Sequence, residues 1–581
     1  MGKMRKLFII NFLPIFVLLA FIECSQDNPI SEGQEGEVTQ IAPGISSKLA
    51  LNRPGDDSEF AYVLLDPSKS LASQLTTTKT IYEIQDNFDL KNGSLNVPAN
   101  SILRFNGGAI LNGSVNFDVT YLEGLVVFKE CTFSGSLYNK EVVLSWFGAL
   151  PSNSDNSTII NQVLKIIPET LVLDALYPIN STIVITHGVT IRGIDWTESV
   201  YATMTRNSEY GFKTSSNITA IKFDVGGSLN LYGVSILGND QLYIGGNTRE
   251  GLSTAGIFIY SDGKGVHGSL SAMMDCSIVG FTYGIRAIGG YIEKIRSSYF
   301  SSCRFGLYTA YTSDYICEDC HFNTNMLNYN LSAAKIDDTN PNTIRKVGAG
   351  VLIKGAGMTQ FINCRFEFNF IHFIIDEAGI IINLENCIFD AATHSCIMLF
   401  NENNGDNMLA SSEYHNPSIN CVNISGNTFA RGARCERYQT TSLPGSGIVY
   451  VREGDDRGSN INFSNNVVVD DIEIDQYNIN YEETIFRIYN TSKSNGVINS
   501  NSNDFSHCKA KTVASAVKGS TGRFVIKDNG SNFGDISHEF TNNSVIDIQK
   551  MEVGADGKIR IWNTLTNGNV KSVDTIIDPN K

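Results

Sequence analysis

The chain has 581 residues, is 42% hydrophobic and carries 51 glycines, 13 prolines and 12 cysteines. That balance excludes a disordered or collagen-like chain and describes a folded protein with many turns. A formal charge of -16, with no long basic stripe, excludes a nucleic-acid partner, because phosphate binding rests on a Lys/Arg footprint.

Lys3, Arg5 and Lys6 precede an apolar stretch over residues 7–22 that is broken by Asn11 and Pro14. It is too short and interrupted for a membrane span and reads as an export signal over residues 1–23. Cys24, with the polar run that follows it, resembles the lipidated cysteine of bacterial lipoproteins, although Glu23 stands where such proteins have a small residue. The resemblance implies an exported protein, held at the outer membrane or cell surface through Cys24 or free in the periplasm, with residues 24–77 as a polar tether.

Residues 78–144 read as short strands that cap or begin the folded body, including Ile102-Leu103-Arg104-Phe105 and Val115-Asn116-Phe117. Residues 159–167 are the one stretch of helical period. Along the chain a three-residue unit recurs: a small residue, any residue, then a large apolar one. It appears as Cys131-Thr132-Phe133, Cys276-Ser277-Ile278, Ser298-Tyr299-Phe300, Cys320-His321-Phe322, Cys364-Arg365-Phe366, Cys387-Ile388-Phe389, Asn427-Thr428-Phe429, Asn466-Val467-Val468 and Asn503-Asp504-Phe505. From 276 to 298 and from 298 to 320 is 22 residues, and from 364 to 387 is 23, the fixed period of stacked units.

Short apolar strands broken by Gly and Asn surround each unit, so each repeat makes one coil of three strands. Alternation along a strand points the first and third residues of the unit inward and the middle one outward. Most cysteines then pack as small hydrophobes. Cys317 and Cys320 are the one close pair and lack a partner pair at zinc spacing, so a metal or redox motif is the weaker reading. Residues 546–581 read as a terminal hairpin with its turn at Gly554-Ala555-Asp556-Gly557.

The repeat resembles the pectate lyase-like superfamily of right-handed parallel β-helices, over residues 145–545 for the helix proper. That resemblance implies an all-β solenoid of about 22-residue coils, with N-terminal cap strands and a C-terminal cap. Ser145-Trp146-Phe147-Gly148-Ala149 and Val189-Thr190-Ile191-Arg192-Gly193 look like the entry segment of polysaccharide-degrading members. The Asp-Asp-Thr-like run of those members is reduced here to Asp155 and a capping Ser/Thr pattern in residues 152–158. The paired-Asp and Gly-His motifs of polygalacturonases are absent, as is the calcium-acid set of pectate lyases, which limits function to a class.

The outward row one past each ladder residue is Ser277, Tyr299, His321, Arg365 and Ile388; the row three past is Val279, Ser301, Asn323, Glu367 and Asp390. With residues 334–347 looped out, His321 and Arg365 become neighbours. Arg365 could neutralise a uronate carboxylate, His321 take the adjacent proton and Tyr299 protonate the leaving oxygen, the three roles of a β-elimination. Glu367 and Asp390 could instead serve a hydrolase as paired carboxylates. Charged side chains outside a solenoid are also expected without any function.

Two insertions carry cations on an acidic protein, Lys335, Arg345 and Lys346 in one, Arg431, Arg434 and Arg437 in the other. They suit an acidic polysaccharide or oligosaccharide, with Lys354, His372 and His394 as secondary candidates. Asp471, Glu473 and Asp475 share a strand face and suit calcium in charge, though a solvated face is the commoner explanation and no motif identifies a cofactor. The combined reading is a polysaccharide lyase acting on uronic-acid-containing glycans of pectic or glycosaminoglycan type, with a glycoside hydrolase or a non-catalytic glycan-binding surface protein as alternatives.

Overall fold

A computed structural model describes residues 54–571 with interruptions, the longest at 197–208, 240–252, 327–347, 402–420, 431–446, 470–483 and 533–545, with shorter ones of one to five residues. The protein is a right-handed parallel β-helix. Among the described residues its strands stack into one sheet of 16 strands and two of 11. One coil runs through Tyr291–Arg296 on the first face, Tyr299–Ser301 on the second and Phe305–Ala310 on the third. Each strand pairs in parallel with its counterpart one coil on, Tyr299 with His321 and Leu307 with Val351.

The folded body begins before residue 78, inside the expected tether. Ala61–Leu64 pairs in parallel with residues 80–83, because a short apolar run can add to a sheet edge without belonging to the repeat. These strands open a seven-stranded N-terminal sheet. The helix expected over 159–167 spans Ser157–Lys165. Asp155 anchors its start by accepting the amides of Ser157 and Asn180, each at 2.9 Å. At the far end Ile546–Val553 and Ile559–Thr564 pair antiparallel, the expected hairpin, while the turn at Gly554 to Gly557 lies outside the described residues. The antiparallel strand ends the parallel stack with a different edge.

From Cys276 onward the three-residue unit forms the corner between the first and second faces, whereas Cys131-Thr132-Phe133 lies inside the strand Phe128–Leu137 of the N-terminal sheet. The corner unit's inward positions are buried, with Cys276, Cys364 and Cys387 each 1% exposed and Cys320 and Asn427 fully enclosed. The phenylalanines stack coil on coil: Phe300 on Phe322, Phe322 on Phe366, Phe366 on Phe389 and Phe389 on Phe429, with centroids 4.8–5.0 Å apart and planes within 9°. The coil spacing of a parallel sheet, about 4.8 Å, is what sets this stacking distance.

In the later coils asparagine replaces cysteine at the corner. Asn427 Nδ2 donates to Asn466 Oδ1 at 3.0 Å and Asn466 Nδ2 to Asn503 Oδ1 at 3.0 Å, so each buried amide satisfies the next. In the earlier coils the thiols donate to backbone carbonyls, Cys276 Sγ to Met274 O at 3.1 Å and Cys320 Sγ to Glu318 O at 3.3 Å. Cys131, Cys276, Cys317, Cys320, Cys364, Cys387 and Cys421 carry thiols outside any disulfide. The residue before each ladder position is left-handed: Asp275, Ser297, Asp319, Asn363, Asn386 and Asn465 have φ between 47° and 55°. That conformation favours Asn, Asp and Gly, which explains the composition of the corner.

The third face departs from simple alternation. Val351 and Ile353 point into the main core, yet Leu352, Ile374, Met398, Phe400 and Tyr450 form a second buried apolar cluster on the other side of the sheet. Phe366 sits between two rings of the main stack, so Phe366→Ala removes both ring contacts. It is expected to cost about 3–5 kcal/mol, read as a lowered midpoint in thermal or denaturant unfolding; an unchanged midpoint would contradict the stacked core.

Candidate functional site

The second face carries the outward rows. Strand pairing places Ser277, Tyr299, His321, Arg365 and Ile388 in one line, and Val279, Ser301, Asn323, Glu367 and Asp390 in the next. From 320 to 364 is 44 residues, yet His321 and Arg365 are direct register partners, because the intervening chain adds nothing to this face.

The side chains of these rows meet. His321 Nε2 donates to Glu367 Oε2 at 2.7 Å, Asn323 Nδ2 donates to the same oxygen at 3.2 Å, and the Arg365 guanidinium pairs with Glu367 Oε1. Tyr299 meets the imidazole edge to face, with ring centroids 5.1 Å apart. A carboxylate that accepts from His, Asn and Arg together is favoured in its charged form. Burial pushes the Glu367 carboxyl up, but the His321 hydrogen bond and charge and the Arg365 charge outweigh it and hold the group at about 2.

The cluster is more enclosed than outward alternation suggests. Tyr299 is 8% exposed, His321 5%, Glu367 6% and Asp390 8%, whereas the Arg365 side chain is 51% exposed. The rows of adjacent coils lie so close that each long side chain covers the next. Arg365 is therefore the group of this cluster most open to a ligand, with His321 behind it. Because Nε2 carries the proton given to Glu367, the lone pair of a neutral His321 lies on Nδ1.

Other expected residues lie elsewhere. Lys354 is on the third face, buried, and in register with Asp376 of the next coil, so it does not join the second-face cluster. His372 and His394 are fully enclosed, and burial pushes both imidazoles down to about 3. His372 lies against Phe366 and Phe389 inside the solenoid, which corrects its reading as a ligand contact. Cys24, Arg345, Lys346, Arg431, Arg434 and Arg437 lie outside the described residues, as do Lys335, Asp471, Glu473 and Asp475.

Among the described residues no group of three or more His, Cys, Asp and Glu side chains is placed to hold a metal ion. No described helix is long and apolar enough to cross a membrane. One feature beyond the sequence reading is a second amide ladder on the opposite corner of this face. Asn325 Nδ2 donates to Asn369 Oδ1 at 2.9 Å, and Asn369 Nδ2 donates to Phe322 O at 2.9 Å. The signal was present in the sequence as Asn325 and Asn369, each four residues past a stacked unit's middle position.

No protein-family model matches the chain, and no curated protein matches it. Solved structures do. The Dettilon tailspike protein is similar at 12% identity over 74% of this chain and 77% of that one, with a TM-score of 0.48. The A-module of Azotobacter vinelandii mannuronan C-5 epimerase AlgE4 is similar at 12% identity over 69% of this chain and 99% of that one, TM-score 0.36. A Yersinia enterocolitica family 28 exopolygalacturonase is similar at 10% identity over 70% and 78%, TM-score 0.26.

The depressed Glu367 carboxyl fixes a pH dependence. A group whose folded value lies below its unfolded one, ordinarily 4.5, stabilises fully above that value and loses the contribution as pH falls towards 2. Wild type should therefore exceed Glu367→Gln in unfolding midpoint at pH 5, with the gap narrowing steadily towards pH 2. A gap that does not change across that window would show that the ion pair is not formed.

Proposed function

We propose that this protein acts on an acidic polysaccharide by β-elimination, using the second-face cluster. The observation that carries the reading is the joining of His321, Glu367 and Arg365 across adjacent coils, with Tyr299 packed on the imidazole. In this reading Arg365 pairs with the uronate carboxylate and draws charge from the carbon beside it. His321 Nδ1 takes the proton from that carbon, and Glu367 stabilises the imidazolium through Nε2. The released electron pair forms the carbon–carbon double bond and expels the glycosidic oxygen, which takes a proton from Tyr299.

The hydrolase reading fits less well. Glu367 and Asp390 are register partners on adjacent strands. Yet both Glu367 oxygens are engaged and the group is held ionised, so Glu367 supplies neither a general acid nor an unencumbered nucleophile. A binding protein without catalysis is favoured by one observation, the enclosure of His321 and Glu367. Export to the cell envelope, with Cys24 as a lipid anchor, is part of the same proposal and rests on the N-terminal sequence.

The test incubates the mature protein with acidic and neutral polysaccharides, with and without calcium, following unsaturated uronate absorbance and reducing ends. Rising absorbance is expected, with His321→Ala and Arg365→Ala each lowering kcat/KM by about 100-fold or more. Reducing ends without absorbance would replace the lyase by a hydrolase, and binding with no product would leave a glycan-binding protein.

A further inference from the structure

The geometry points to a second glycan contact, a platform for a neutral sugar ring built on Trp196 at the corner leading into the second face. Three aromatic side chains from separate segments, Trp196, Tyr210 and Tyr232, lie half-buried at this corner, with Tyr210 packed against the main core. The Trp196 indole lies nearly parallel to the Tyr232 ring, with centroids 4.5 Å apart and planes 16° apart. Its Nε1 donates to Asp275 Oδ2 at 3.0 Å, which fixes the rotation of the ring in its plane. Gly233 makes room for it: the residue is left-handed at φ +61°, and a Cβ there would come within 2.6 Å of the indole. A rigid, oriented aromatic face offers large apolar area at little entropic cost.

The polar surroundings select the occupant. Asp275 holds the indole, and Asp195 accepts the Tyr210 hydroxyl at 2.5 Å. Carboxylates beside an aromatic face accept hydrogen bonds from sugar hydroxyls and repel a uronate, so the platform suits a neutral hexose. The register Ser277, Tyr299, His321, Arg365 sets Asp275 two coils before His321 and three before Arg365. Tyr232 is the register partner of Met274 and so lies one coil earlier still, and at about 4.8 Å per coil the stacked rings stand roughly 14–19 Å along the axis from the cluster. This rests on the glycan reading and refines it: the substrate is a heteropolysaccharide presenting a neutral sugar a short distance from the uronate that is cleaved.

The experiment titrates the full mature chain with glucose, galactose, mannose and N-acetylglucosamine, with glucuronate as the charged control, following tryptophan fluorescence. At least one neutral sugar should change the emission while glucuronate does not, and affinity for it, read by calorimetry, should fall about tenfold in Trp196→Ala. Asp275→Asn, which leaves the ring in place, should retain the response with weaker binding. Arg365→Ala should leave it intact, so loss of elimination and loss of the platform are separable. A neutral-sugar response unchanged in a folded Trp196→Ala, a response to glucuronate alone, or no response in wild type would each overturn the inference. Should Trp196→Ala fail to fold, Trp196→Phe is the replacement: sugar binding must persist while the emission change disappears.

Discussion

Parallel pairing between successive coils is the constraint from which the rest follows. Because each strand bonds to its counterpart one coil on, equal positions of the repeat stand about 4.8 Å apart in straight lines. Like then meets like. Phenylalanine stacks on phenylalanine inside the second face, and asparagine bonds to asparagine at the corner. A buried amide would be costly alone, but in a ladder every donor finds an acceptor, so the polar corner and the apolar core are satisfied by one repeat.

The same register produces the charged cluster on the outer side. His321, Arg365 and Glu367 come from residues 46 or fewer apart in sequence and from adjacent rows in space, and the short second-face strands hold their backbones rigidly. Corners of two residues at one end and an amide ladder at the other leave this face little freedom. Groups held on strands with locked neighbours keep a fixed geometry, which is what proton transfer requires. In the proposed site an ionised, fully engaged Glu367 would orient His321 rather than react itself.

Much of this was legible in the sequence, for a physical reason. The ladder unit repeats because the corner repeats, so Cys364-Arg365-Phe366 announces its own inward and outward positions, and the partnership of His321 with Arg365 follows from counting units rather than residues. Burial was not legible. Period-two alternation says which side a residue faces, but not that Tyr299 and Glu367 are covered by neighbours on adjacent coils, nor that Leu352 and Ile374 are buried on the far side of the third face. The start of the fold at Ala61–Leu64 was hidden because a lone edge strand carries no repeat. Trp196 also escaped, since its platform joins segments that no periodicity relates.

On the proposed function the second-face cluster receives the acidic sugar. A crystal structure of the mature chain with a bound uronate oligosaccharide tests it most directly. The uronate carboxylate is expected on the Arg365 guanidinium, with the ring carbon beside it within reach of His321 Nδ1. A glycan seated on another face, with the His321–Glu367–Arg365 cluster closed and untouched, would contradict it.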